Sequence, residues 1–289
     1  MATDLVLPFV FETIPVRGAL VHLGSTWRRL QQDHDYPPAV AAAVGEAAAA
    51  TLLIAQSLKA HSTLTLQISG KGPMSMLVMQ ASSALEMRGL ASAEQASDAQ
   101  TFRDLVGNGH CAVTVDNEQS EQPYQGIVEI AGETLADSLQ VYYARSAQIP
   151  SHLSLVATAD RCGGILLQQM PGSEPAAQDD WERLGLMAAT LGDKDLTRGI
   201  DAGLVGRLFP EDDVRVFRGR PTMFRCRCTR GRAANVLQLL GAEDCHAASE
   251  EQGTVVVTCE YCGRRESFDR VDIAELFANT AAPHSDSVH

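Results

Sequence analysis

Two cysteine pairs hold the chemistry available to this chain. In "MFRCRCTRGR", residues 223–232, Cys226 and Cys228 stand one residue apart among four arginines. In "TCEYC", residues 258–262, Cys259 and Cys262 stand two residues apart. Each pair is a short turn that offers two soft sulfur donors. Zinc binds four thiolates tetrahedrally at about 2.3 Å each, and two such turns brought together supply that set. Closing a loop the length of residues 229–258 costs about 3 kcal/mol. Structural zinc contributes about 10–16 kcal/mol in peptides, so the metal outweighs closure and can fold the segment around itself. The spacing predicts one Zn2+ per chain on Cys226, Cys228, Cys259 and Cys262.

Arg225, Arg227, Arg230 and Arg232 crowd the first pair, and Arg264 and Arg265 follow the second. Nearby cations favour thiolate, which binds metal and is also the form that oxidants attack. A disulfide across one intervening residue closes a small, strained ring, and strained disulfides are the reducible, regulatory kind. The residues alone thus accommodate either a purely structural zinc ribbon or a redox switch. Of the other cysteines, Cys245 stands beside His246 and reads as a loop residue, with a substitute ligand or resolving thiol as the alternatives. Cys111 and Cys162 read as packing residues.

Catalytic zinc needs an open coordination position, usually with histidine ligands and a nearby glutamate. None of the eight histidines begins a His-x-Glu, and four thiolates leave no open position, so a zinc hydrolase or deaminase is disfavoured. A zinc ribbon that binds nucleic acid through its arginines is the remaining rival. The net charge of −13 opposes it, because phosphates are repelled. "GKGP", residues 70–73, lacks the Gly-x4-Gly-Lys-Ser/Thr spacing of a phosphate loop.

The elements around these cysteines must position them. At 289 residues, 45% apolar and 20% charged, the chain has the composition of a globular protein of about two domains. No segment approaches the roughly 20 apolar residues of a membrane span. The run Leu5–Phe11 follows Asp4 rather than a basic residue and reads as a first strand, not a secretory signal. An odd cysteine count without such a signal argues against a secreted disulfide scaffold and points to the cytoplasm.

Residues 1–170 alternate strands and helices. Strands are predicted at 16–23, 63–68, 74–81, 85–91, 110–116, 124–130 and in a hairpin around Asp160–Gly164. Ser25 is placed to cap a short helix, Pro37 and Pro38 open an alanine-rich helix over 39–59, and 134–148 reads as another helix. Hairpins throughout predict an α+β fold built on antiparallel-rich sheets. Residues 171–220 read as a helical linker. Within it, 196–209 forms one helical stripe of Leu196, Ile200, Leu204 and Leu208, weakened by Gly199, Gly203 and Gly206 at about 1 kcal/mol each. Such a helix needs a partner surface to stay folded. Residues 221–289 form a small zinc-binding domain with helices at 235–241 and 271–277, a strand at 254–258 and a disordered tail after Pro283.

"FRCRC", "VTCEYCGRRESFD" and "IAELF" resemble the cysteine blocks of the Hsp33 family of redox-regulated chaperones. "VRG", "GKGPMSMLV", "EQPYQGIVEI", "GGILLQQMP" and "VGRLFPEDDVRVF" resemble its other blocks, in family order over nearly the whole chain. The resemblance implies an ATP-independent holdase of the oxidative stress response, and not an enzyme. It further implies that oxidation pairs Cys226 with Cys228 and Cys259 with Cys262, releases zinc, and unfolds the linker and C-terminal domain to uncover a surface for unfolding client proteins. It implies a homodimer on activation, while the net charge of −13 argues against nucleic acid or anionic membrane as partner. Cys245 lies outside the family motif.

Overall fold

The computed structural model describes residues 3–94, 99, 101–120, 122–170, 172, 174–196 and 199–278. The expected disordered tail lies outside them. Two compact units divide the chain, Met1–Arg225 and Cys226–His289.

In chain order, the first unit contains β1 (Leu5–Phe11), β2 (Val16–Leu23), α1 (Ser25–Gln31), α2 (Pro38–Ala55), β3 (Ser62–Gly70), β4 (Met74–Ser82), β5 (Glu86–Ala93), α3 (Phe102–Val106), β6 (Gly109–Asn117) and β7 (Tyr124–Glu129). It continues with α4 (Leu135–Tyr142), extended by a π-helical turn Tyr143–Ala147, then β8 (Ser151–Ala157), β9 (Cys162–Gln169), α5 (Gln178–Ala188), α6 (Asp193–Leu196), α7 (Ala202–Leu208), β10 (Val214–Val216), β11 (Arg220–Pro221) and β12 (Met223–Phe224). Two six-stranded sheets result. The first runs β10-β1-β2-β9-β8, with β11 also on β1, and the second β12-β5-β4-β3-β6-β7. Every pairing is antiparallel except β12 with β5, so the fold is α+β with antiparallel-rich sheets.

Between the sheets lies α2. Its alanines share one core with Val21, Leu23 and Leu166 of the first sheet and Leu64, Leu66, Leu77 and Met79 of the second. Small side chains permit this close seating. A Cβ added at Gly45 would fall 2.8 Å from the Ala157 Cβ. Contrary to the expectation from sequence, α2 is long and apolar enough to cross a bilayer by length and composition, with a mean hydropathy of 1.7. That hydropathy comes from alanines and leucines buried inside the unit, 72% of the segment being covered. Cys111 and Cys162 are fully buried in strands of the same core, as packing residues.

The cap of α1 differs from expectation. Ser25 is already helical, and the Asp4 carboxylate caps the helix from a distance. It accepts from the Gly24 N–H at 2.7 Å, the Ser25 hydroxyl at 2.7 Å and the Thr26 N–H. Burial pushes the Asp4 carboxyl up, but these donors together hold it below its ordinary value.

A second core lies on the opposite face of the first sheet. Leu7, Phe9, Phe11, Leu20, Ile165 and Leu167 meet Trp181 and Leu184 of α5, Leu196 of α6, and Leu204, Leu208 and Phe209 at α7. The Phe209 ring lies 5.1 Å from Phe11 and 5.9 Å from Phe9. The predicted single helix over 196–209 is two. α6 ends at Leu196, Gly199 adopts φ +79°, and Asp201 starts α7 by accepting from the Leu204 N–H at 2.8 Å. A left-handed glycine and a new cap interrupt the helix, yet Leu196, Ile200, Leu204 and Leu208 are all buried as the stripe requires.

The second unit contains α8 (Arg230–Leu240), α9 (Ala242–Gln252), the hairpin β13 (Thr254–Thr258) with β14 (Arg265–Asp269), and α10 (Arg270–Ala278). Its buried core is thin: Ala233, Leu237, Cys245, Phe268 and Ile273. Below about 70 residues such a core rarely supplies enough stability without a staple.

Candidate metal centre

Cys226 and Cys228 precede α8. Thr229 ends their turn, its hydroxyl accepting from the Arg232 N–H at 3.2 Å to cap the helix. Cys259 and Cys262 occupy the turn between β13 and β14. There the Cys259 N–H donates to the Arg264 carbonyl, and the Cys262 and Gly263 N–H groups donate to the Cys259 carbonyl. Gly263 has φ +65°, a conformation that favours glycine and lets the chain double back beneath the sulfurs. A hairpin and a helix N-terminus thereby bring four sulfurs to one point.

The four Sγ atoms all lie within 4.8 Å of one another. Cys226 and Cys259 approach to 3.7 Å, and Cys228 and Cys262 to 3.4 Å. Tetrahedral bonds of about 2.3 Å separate neighbouring sulfurs by about 3.8 Å, so the cage has the size and the all-sulfur donor set for zinc. Among the described residues this is the one such cluster of potential metal ligands.

Burial pushes the Cys226 thiol up, but hydrogen bonds from Cys228, Cys262 and Cys259 outweigh it and hold it at about 7. Burial raises Cys228, Cys259 and Cys262. A bound dication among these sulfurs would favour the thiolate form of all four. The expected cause of thiolate character was the surrounding arginines, and this is corrected. Arg230 pairs with Asp272 at 2.8 Å and lies over the Phe268 ring, Arg264 pairs with Glu266 at 2.7 Å, and Arg232 donates to the Arg227 carbonyl. They serve the fold of the unit, and this pairing also weakens the nucleic-acid reading. Hydrogen bonds with the neighbouring sulfurs lower Cys226 alone, a signal that the linear spacing carries only once the two turns are known to meet.

Cys245 is not a loop residue. It sits on α9, 2% exposed, inside the core, and its thiol donates to the Leu237 carbonyl at 3.4 Å. It lies outside the sulfur cage. The sequence "AEDCHAASEEQ" carries too little apolar periodicity to announce a helix, which is why α9 escapes a reading by hydrophobic pattern.

This geometry can be set beside known proteins. The family model described as Hsp33 protein matches residues 4–269. A 33 kDa chaperonin of Methylobacillus flagellatus is 40% identical over 271 residues, covering 93% of this chain and 92% of its own. One from Nitrosococcus oceani is 39% identical over 282 residues, covering 97% of each. The crystal structure of a 33 kDa chaperonin, a heat shock protein 33 homolog from Thermotoga maritima, superposes with TM-score 0.80 at 22% identity over 96% of this chain and 99% of that one, which speaks to the fold. Whole-length identity near 40%, together with a four-sulfur cage built by the quoted cysteine blocks, places this chain in the Hsp33 family.

Proposed function

We propose that the chain is a redox-regulated, ATP-independent holdase, inactive when reduced and switched on by oxidation of the sulfur cage. The observation that carries this reading is the convergence of Cys226, Cys228, Cys259 and Cys262 in a unit whose core is too thin to stand alone. Bound zinc would cross-link the two turns and hold all four cysteines as thiolates. On oxidation, Cys226 pairs with Cys228 and Cys259 with Cys262. Each new S–S bond releases two electrons, and a peroxide that accepts them with two protons is reduced to water. Disulfide sulfurs are poor metal donors, so the staple is lost and the second unit unfolds.

The domain plan in this proposal is a chaperone domain over 1–170, a metastable linker over 171–220 and the switch domain over 221–289. Melting of the linker removes α5, α6 and α7 from the first sheet and uncovers Leu7, Phe9, Phe11, Leu20, Ile165 and Leu167. That apolar face suits the exposed hydrophobic segments of unfolding proteins, which bind non-directionally. The activated form dimerises. It performs no chemistry on its clients, works in the cytoplasm, and takes neither nucleic acid nor membrane as partner. Light scattering of a heat-denatured client tests the reading. Oxidised protein should suppress aggregation and thiol-reduced protein should not; equal activity in both states would refute the switch.

A further inference from the structure

α2 carries a single charged side chain, Glu46, in its 18 residues. Glu46 is half-buried, and no described residue hydrogen-bonds its carboxylate or sets an opposite charge against it. Burial without compensation pushes the carboxyl up to about 7. Glu46 lines a cleft of about 270 Å3 between α2 and the starts of α3 and α4. Ala39, Ala42, Ala43 and Glu46 fall on one face of α2, so three small side chains floor a slot that leads along the helix to the carboxylate. Phe102 and Leu105 of α3 add an apolar wall. From Ala39 to Glu46 the helix rises about 10 Å. No Lys, Arg or His lines the cleft.

Three classes of ligand fit poorly. An anion would meet Glu46 and the exposed Glu133 at the rim. The starts of α3 and α4 give it little, because capping boxes pair Thr101 with Asp104 and Thr134 with Asp137. A calcium ion takes about six to eight oxygens, and among the described residues no third acidic or histidine ligand joins these two carboxylates. A neutral apolar molecule would leave the carboxylate covered and unpaired, which is unfavourable.

We propose that this cleft binds a linear primary ammonium, its nitrogen paired with Glu46 and its methylene chain lying on Ala39, Ala42 and Ala43. The ammonium supplies the countercharge that the fold withholds, and the alanine floor admits a slim chain. A free alkylamine and the lysine side chain of another polypeptide share this chemistry. The net charge of −13 draws such cations toward the chain. Ionisation of Glu46 gates the binding. The Cys162 thiol on β9 senses Glu46, but burial pushes it well above its ordinary value and it stays neutral. Glu133 is the only other charged group in the lining. Arg103 and Asp104 of α3, Asp137 of α4, and the charged residues of α1 and of the strands packed on α2 do not line it. The site lies wholly in the first unit, apart from the sulfur cage and from the sheet face under α5, α6 and α7, so it does not rest on the redox reading.

Calorimetric titration of 1-aminopentane into the full-length, zinc-loaded, thiol-reduced protein tests this, with carbon-13 NMR of the Glu46 carboxyl as a second readout. Saturable one-to-one binding is expected. An alkylamine stays charged far above neutral pH, so affinity should rise from pH 6 to pH 8 as Glu46 ionises, and saturation should lower the Glu46 pKa. Glu46→Gln should weaken binding at least tenfold and abolish its pH dependence. Ala42→Leu fills the slot while keeping the carboxylate and should weaken binding as well. Thermal unfolding of each variant serves as the folding control. Blocked lysine, acetylated and amidated at its backbone, is titrated beside 1-aminopentane. Binding of both assigns the site to a polypeptide's lysine and binding of the amine alone to a free alkylamine; either upholds the ammonium site. Absence of saturable binding, equal binding of 1-pentanol, or affinity unmoved by Glu46→Gln overturns the proposal. These readouts are independent of client aggregation, so their failure leaves the holdase reading untouched.

Discussion

Arg183 on α5 holds both carboxylate oxygens of Asp212, at 2.8 and 2.7 Å, across 29 residues of chain. The Asp212 side chain is only 6% exposed and Arg183 30%. This fork pins the start of the helical layer to the turn that follows it, and its hydrogen bond with Asp212 raises the Arg183 pKa further above its ordinary value. Arg183→Met leaves a covered carboxylate unpaired, which costs about 3 kcal/mol when the site is buried. Hydrogen exchange over α5 to α7 should quicken accordingly, and the reduced protein should acquire part of the chaperone activity. Asp212→Asn added to Arg183→Met should recover some of the loss. Unchanged exchange in the single variant would show that the fork does not hold the layer.

A second contact makes the same layer sensitive to acid. The His152 ring on β8 lies 4.3 Å from the Trp181 ring on α5, and a Cβ at Gly185 would come within 2.5 Å of it. Its Nε2 is buried without a partner. Burial lowers the His152 pKa, and an interaction with the Trp181 backbone offsets this only in part. The undocked state therefore binds the proton more tightly than the docked one. Docking is at full strength above the ordinary histidine pKa of 6.5 and weakens as pH falls below it toward the depressed value. Trp181 fluorescence in a Trp27→Phe background should report α5 release between pH 7.5 and 5.5. His152→Gln should flatten that profile, whereas a profile unchanged by the substitution would assign the proton elsewhere, for instance to buried His22, whose pKa burial also lowers.

Much of this was legible in the sequence. Alternation placed the long strands of both sheets, and prolines and alanines placed α2, because burial on a pleated face or between two sheets writes a regular pattern; the short β10, β11 and β12 were missed, since they fall where a helical linker and the start of the zinc-binding domain are expected. The stripe Leu196, Ile200, Leu204 and Leu208 identified the buried face correctly although the helix breaks at Gly199, since periodicity reports the covering surface more faithfully than the backbone path. The cysteine spacing indicated the cage, but not the sulfur contacts that set its acidity. Long-range relations left no local trace. Asp4 capping α1 and the fork from Arg183 to Asp212 join residues far apart in the chain, and α9, without a large apolar side chain, had no period to read.

Metal removal should separate the two units. Cobalt substituted into the reduced protein should give a charge-transfer spectrum of four thiolates, and each of Cys226→Ser, Cys228→Ser, Cys259→Ser and Cys262→Ser should reduce it. Cys245→Ala should leave it intact, because Cys245 lies in the core and outside the cage. Chelation should then expose the amides of α8, α9 and the β13–β14 hairpin while the α2 core keeps its protection, since that core is built from large buried side chains of both sheets. A mixed nitrogen and oxygen shell, or a second unit that stays protected after chelation, would refute the tetrathiolate staple.

The core of the second unit should be felt in its metal affinity. Phe268 on β14 is 3% exposed, is the largest side chain among the five buried core residues, and carries the Arg230 guanidinium 4.3 Å above its ring. Phe268→Ala removes a buried ring at a cost of about 3 kcal/mol or more. If the unit folds only with its ion, as the proposed switch requires, that loss cannot be absorbed by a stable metal-free state and appears as weaker binding. A loss of about 3 kcal/mol corresponds to roughly a hundredfold in dissociation constant. Competition with a chromophoric zinc chelator should therefore show affinity falling by that order in Phe268→Ala, although the substitution touches no ligand. The variant should also lose zinc and gain chaperone activity at lower oxidant concentration than the parent. An unchanged zinc affinity would mean that the metal-free unit is folded on its own, and that oxidation of the cage could not be what opens it.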